Sequence, residues 1–155
     1  ARVREVHERI SGTLDDGTPY VASDPHLLAW VHVCEAIGFL DAWIAFGQPD
    51  MPMAEQDAYF YQHALIARTP GADPVPETRA EADALIGKFR EELKASPRAR
   101  QVAHMVLTQP APSFAMAPIQ SVLMQASVTT LPAWAKEMPG LTTLPFSPPI
   151  GRTGA

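Results

Sequence analysis

The stretch DPHLLAWVHVCEAIGFLDAWIAFG, residues 24–47, is apolar for most of its length, yet carries His32, Glu35 and Asp41 inside the run. Asp24 is a capping residue type directly ahead of Pro25, and a proline at the first helical position forfeits no hydrogen bond. Gly47 and Pro49 stop the pattern after Phe46. One long helix is therefore predicted over 25–46. Leu27 to Phe46 is long enough to tempt a membrane reading, but three ionisable side chains within the helix are costly in hydrocarbon. The expectation is a core helix and no transmembrane segment. A helix apolar nearly all round is packed between other helices, which commits the fold to helix on helix.

Working outward, ARVREVHERISG begins with the helical pattern Val3, Val6, Ile10 and no capping residue before it. The expectation is a chain that opens partway through a helix, as a truncated form of a longer domain. TLDDGTPYVASD, residues 13–24, is rich in turn formers and reads as an ordered loop. Downstream, a helix from Ala54 to Thr69 would place Tyr59, His63 and Ile66 on one face and end at Pro70-Gly71. Thr78 with Glu81 forms a capping box ahead of Ala82, Leu85, Ile86, Phe89 and Leu93 at helical spacing. Ser96-Pro97 starts a helix whose Val102, Met105 and Val106 are expected to face inward. A last helix spans about Ala117 to Thr130, with a short turn around Trp134. No run alternates apolar and polar residues, so no strand is expected. The fold class is all-α, a compact multi-helix domain over residues 1–140 with a loose proline- and glycine-rich tail over 141–155.

The 155 residues suffice for one domain with a core, and the net charge of -5, with no Lys/Arg run, excludes a nucleic-acid partner. Cys34 is the only cysteine, so there is no disulfide framework. With no secretory signal, this points to the cytoplasm. Nucleophile elbow, Walker loop, H-E-x-x-H and dinucleotide fingerprint are all missing. Chemistry must come from scattered residues, foremost five histidines, His7, His26, His32, His63 and His104, all on predicted helices. A helix-borne imidazole suits a metal or haem iron held between helices, although a lone histidine on an apolar face is more often a hydrogen-bonded core residue. His32 and Glu35 share a helix face, so the carboxylate can orient the imidazole, or the two can simply satisfy each other as a buried pair. Cys34 lies about 100° round the helix from neighbouring positions and reads as an inert thiol.

Several separated motifs agree in order with one family. His7 followed by a small-residue turn, then DG-x-x-Y-x-A-x-DP-x-L-x-x-WVH over residues 16–32, resembles the signature of the mpaB-type oxygenases and rubber oxygenase (latex clearing protein). ASPRARQVAHMVLTQPAP (95–112) and VLMQASVTTLPAWAKEMPGL (122–141) are similar to later segments of that family, so the likeness covers about Arg2 to Leu141. It implies an α-helical, globin-reminiscent domain that holds a b-type haem through a histidine and uses dioxygen on a small hydrophobic substrate. In rubber oxygenase the reaction is cleavage of a carbon-carbon double bond in polyisoprene, and in mpaB cleavage of a prenyl-type side chain.

Carried over by position, the resemblance makes His7 the iron ligand, ranked above His32. It makes His32 a pocket residue and Trp30 a cofactor-contacting residue on a helix that Asp24 supports; the spacing of Glu35 from His32 adds that carboxylate as its partner in a catalytic pair. The family's upstream Arg-x-x-x-Thr helix has no counterpart before Ala1, and Cys34 stands where the family usually has Thr. The alternative from another class is a non-catalytic helical domain whose apolar cleft takes a lipid-like ligand or a partner helix. A mononuclear metal hydrolase would need three clustered ligands, which the sequence does not assemble.

Overall fold

The computed structural model describes residues 2–14 and 16–138. Among them the chain forms α1 (Arg2–Glu8), a hairpin of β1 (Ser11–Thr13) and β2 (Pro19–Val21), α2 (Pro25–Phe46), α3 (Met53–Arg68), α4 (Arg79–Glu92), α5 (Pro97–Leu107), α6 (Ala117–Thr130) and α7 (Ala133–Glu137). A single 3-10 turn, Phe114–Met116, precedes α6. The fold is mostly α, as the periodicity predicts. The tail expected over 141–155 lies outside the described residues. Chain contacts divide the protein into two units, Ala1–Leu93 and Lys94–Ala155.

In the first unit, the caps act where the sequence puts them. The Asp24 carboxylate accepts from the backbone N–H of His26 at 2.8 Å and of Leu27 at 3.3 Å, donors that have no partner inside a helix. Thr78 Oγ1 accepts from Glu81 N at 3.2 Å. Glu81 returns a carboxylate oxygen to the N–H of Glu77 at 2.8 Å, one residue earlier than an ideal capping box.

The core is where α2, α3 and α4 meet. Ala29, Val33, Ala36 and Leu40 of α2 pack on Phe60 of α3 and on Ala82, Leu85 and Phe89 of α4. These α2 positions recur at three- and four-residue steps, which is the stripe a helix presents to its neighbours. Alanine at three of the contact points lets the helix axes approach closely around the larger side chains. A second cluster, Leu28, Ala67 and Ala72 with Val75, pins the loop after α3. The buried face of α3 is therefore Phe60, Ala64 and Ala67, while Tyr59 and His63 flank it half-buried. Ile66, expected on the Tyr59 and His63 face, is exposed.

Two further expectations are corrected. The long helix is not buried all round: Val31, Phe39, Trp43 and Phe46 are each more than half exposed, while its Ala29, Val33, Ala36 and Leu40 face the core shared with α3 and α4. By length and composition alone α2 would also be able to cross a membrane. Its Asp41 accepts from Arg79 Nη1, and Arg79 Nε also reaches Asp83 at 3.1 Å, while the backbone N–H of Arg79 donates to Asp57 of α3 at 2.9 Å. Burial works against charge on Arg79, but the hydrogen bonds to Asp41 and Asp83 outweigh it and hold the guanidinium more firmly protonated than usual. Asp41 is thus a clamp between α2 and the start of α4.

The segment read as a loop after Gly12 contains the hairpin, with Ser11 opposite Val21, Gly12 opposite Tyr20 and Thr13 opposite Pro19. Strands of three residues are too short to show alternation in sequence. Gly17, at φ +87°, makes the turn, with Asp16 Oδ1 accepting from Thr18 N at 3.0 Å. Gly12 is needed for a different reason: a Cβ there would meet the Tyr20 ring at 2.9 Å or less.

In the second unit, α5, α6 and α7 have no buried residue. Val102, Met105 and Val106, expected to face inward, are exposed. Periodicity identifies the apolar stripe of α5 but carries no information about whether another element lies against it.

Candidate functional site

The first unit contains a cavity of about 850 Å³, assembled from four elements. α1 contributes Val3 and His7, four apart and so on one face; β2 contributes Tyr20; α2 contributes Leu27, Trp30, Val31 and His32; the end of α3 contributes Leu65 and Ile66. The lining is mostly apolar, and its size falls in the range of small-molecule and cofactor sites. Leu27, Val31, Leu65 and Ile66, which look like stray exposed hydrophobics, are the walls of this space. Trp30 is anchored from behind, its ring 5.3 Å from that of Phe89 in the core.

Three of the four residues singled out in sequence therefore meet at one cavity: His7, Trp30 and His32. Glu35 does not line it; its Oε2 stands 3.8 Å from His32 Nδ1, beyond hydrogen-bond range but close enough to bias the ring electrostatically. The Nδ1 atoms of His7 and His32 are both buried, and neither has a hydrogen-bond partner among the described residues.

A group that sequence reasoning left without a role lies behind His32. His63 of α3 faces it ring to ring at 6.1 Å, and Tyr59, one turn earlier, holds His63 at 5.7 Å. Burial pushes the His63 pKa down; Glu35 opposes this and His32 adds to it, leaving the ring neutral more readily than usual. Burial, reinforced by Glu35, pushes the Tyr59 hydroxyl up. The signal for this cluster was present in the four-residue spacing of Tyr59 and His63, but the pairing of that face with His32 is a property of how α2 and α3 pack.

The other histidines serve elsewhere. His26 Nε2 bonds Glu92 at 2.7 Å, and its ring stacks obliquely on Phe89, tying the start of α2 to the end of α4. His104 lies on α5 in the second unit. Burial pushes the Cys34 thiol up to about 12 from an ordinary 9.0, so at neutral pH it carries about a thousandfold less thiolate than a free cysteine. Native protein at pH near 8 is accordingly expected to react with iodoacetamide orders of magnitude more slowly than denatured protein. Equal rates, read by mass spectrometry, would show the thiol to be accessible, with its pKa not raised by burial.

Among the described residues no three His, Cys, Asp or Glu side chains come together as a metal-ion cage. A haem iron asks less of the protein, because the porphyrin supplies four ligands and one or two imidazoles complete the set. An apolar cavity of this volume with two unpartnered imidazole nitrogens buried beside it fits that demand. Comparison with curated proteins found no match, and neither did comparison with solved structures. The family model described as ER-bound oxygenase mpaB/B′/rubber oxygenase, catalytic domain, matches residues 1–150, and the chain belongs to this family of oxygenase-type catalytic domains.

Proposed function

We propose that the protein is a haem-dependent oxygenase that uses dioxygen on a small apolar, isoprenoid-like substrate, with the large cavity of the first unit as its reaction site. The observation that carries this reading is that His7 and His32, from separate helices, line one apolar cavity. His7 offers an imidazole nitrogen to a b-type haem, and Trp30 offers a ring fixed against the core as a wall for it. The haem supplies activation of dioxygen and the electron chemistry.

The chain's own residues do the rest. Leu27, Val31, Leu65 and Ile66 give the site no hydrogen bonds to offer water, so they favour and orient an apolar chain in its place. His32 is one of the polar groups in a lining that also includes Arg2, Arg4, Tyr20 and Thr69; it is able to take or give a hydrogen bond at the reacting end, and Glu35 biases where its proton sits. The same apolar lining supports the second reading, a domain that holds a lipid-like ligand without reacting with it.

An absorption spectrum of protein expressed with haem supply separates the two. A Soret band is expected in the wild type and in His32→Ala, since His32 is assigned a role in the pocket and not on the iron. A colourless wild-type protein that binds a fluorescent fatty-acid probe would overturn the oxygenase reading in favour of ligand binding.

A further inference from the structure

A second, much smaller pocket of about 10 Å³ is lined by α2, α3 and the segment 74–76. That is about the volume that holds one water molecule. Of the two cavities, His32 is the residue whose side chain lines both. The small cavity is walled by apolar groups, Ala29, Val33, Ala36, Phe60 and Ala64 among them, and the imidazoles on it are those of His32 and His63. The ring centroids stand 6.1 Å apart at 67°, too far for the rings to be in stacking contact and near enough for a single water to lie between their edges. His32 Nδ1 is buried without a direct partner, the condition under which interior water is retained.

We propose that His63 is a positioning residue for His32, acting through one water held in the small cavity: His32 Nδ1–H donates to the water, and the water donates to the unprotonated nitrogen of His63. The direction follows from charge. The Glu35 carboxylate 3.8 Å from His32 Nδ1 favours a proton on that nitrogen. His63, kept neutral by burial and braced by Tyr59, retains a nitrogen that accepts. With Nδ1 protonated, Nε2 of His32 is the unprotonated nitrogen and serves as an acceptor toward the contents of the large cavity. Only this last consequence rests on the large cavity being a reaction site; the tautomer and the water do not.

The test uses the full chain without haem, labelled with 15N and observed by long-range 1H–15N correlation at about pH 8, where imidazoles are neutral. In the wild type His32 is expected as a single Nδ1–H tautomer. In His63→Leu the Nδ1–H share is expected to fall, with Glu35 left as the group still favouring it, while His63→Gln, whose carbonyl accepts a hydrogen bond, restores it. A purely structural role for His63 would not move the tautomer and would not be rescued by Gln. An Nε2–H tautomer in the wild type, or tautomer populations unchanged between wild type and His63→Leu, would overturn the proposal. Should His63→Leu not fold, a high-resolution crystal structure of the wild type decides: density for a water between the two rings supports the bridge, and a dry cavity sinks it. Neither readout involves haem, so a missing Soret band would defeat the oxygenase reading alone and leave this result standing.

Discussion

Phe60→Ala is expected to destabilise the first unit by about 3–5 kcal/mol, a large part of the roughly 5–15 kcal/mol that holds a domain folded. Phe60 is 1% exposed and is the largest fully buried side chain of the described residues, followed by Leu40 and Val33. It comes from α3 and meets both other core helices, whose facing residues include Ala29, Ala36 and Ala82. Alanines have no side chain with which to fill the space a lost ring leaves, so the cavity persists and its cost adds to the lost transfer energy. Phe39 is the control: it is 64% exposed on the outer face of α2, and Phe39→Ala is expected to change stability by no more than about 0.5 kcal/mol. Urea denaturation followed by circular dichroism measures both. A change below about 1 kcal/mol for Phe60→Ala would mean that the core relaxes around the loss, contrary to the packing described.

His7→Ala is expected to abolish the Soret band at stoichiometric haem while leaving helix content unchanged. The two effects separate because α1 contributes nothing buried to the core: its residues other than His7 are exposed, so the imidazole can be removed without opening a void among α2, α3 and α4. Without that nitrogen the cavity retains its apolar affinity for a porphyrin but loses the bond to iron, and the spectrum of any residual complex should be that of weakly held, non-ligated haem. The comparison with His32→Ala gives the result its meaning. Loss in His7→Ala alone supports His7 as the residue that would hold the iron; loss in His32→Ala alone transfers that role to His32; a band retained in both argues against either histidine as the group that holds it.

Much of the fold could be read from the chain by local physics. Asp24-Pro25 and Gly47-Pro49 bounded α2, Thr78 with Glu81 started α4, and Ser96-Pro97 started α5, because capping and termination depend on residues a few positions apart. The hairpin escaped because its strands are shorter than a pattern needs to declare itself. The inward face assigned to α5 failed, and the packing of α2 between other helices held for one face alone, for one shared reason. An apolar stripe states what a helix could bury, whereas exposure depends on which other element arrives.

The site divides in the same way. That His7, Trp30 and His32 were the candidates came from the order of residues along the chain, since a family signature is a linear object. That they surround a single apolar space, that Glu35 stands beside that space and not on it, and that Asp41 is a clamp for Arg79 all depended on contacts between segments far apart in sequence. The juxtaposition of His63 with His32 shows why: each residue's helix and face are set by its near neighbours, but the distance between two faces is set by the side chains packed between the helices, here Val33, Ala36, Phe60 and Ala64. Local sequence determined the elements and their chemistry, and core packing decided which of those chemistries meet.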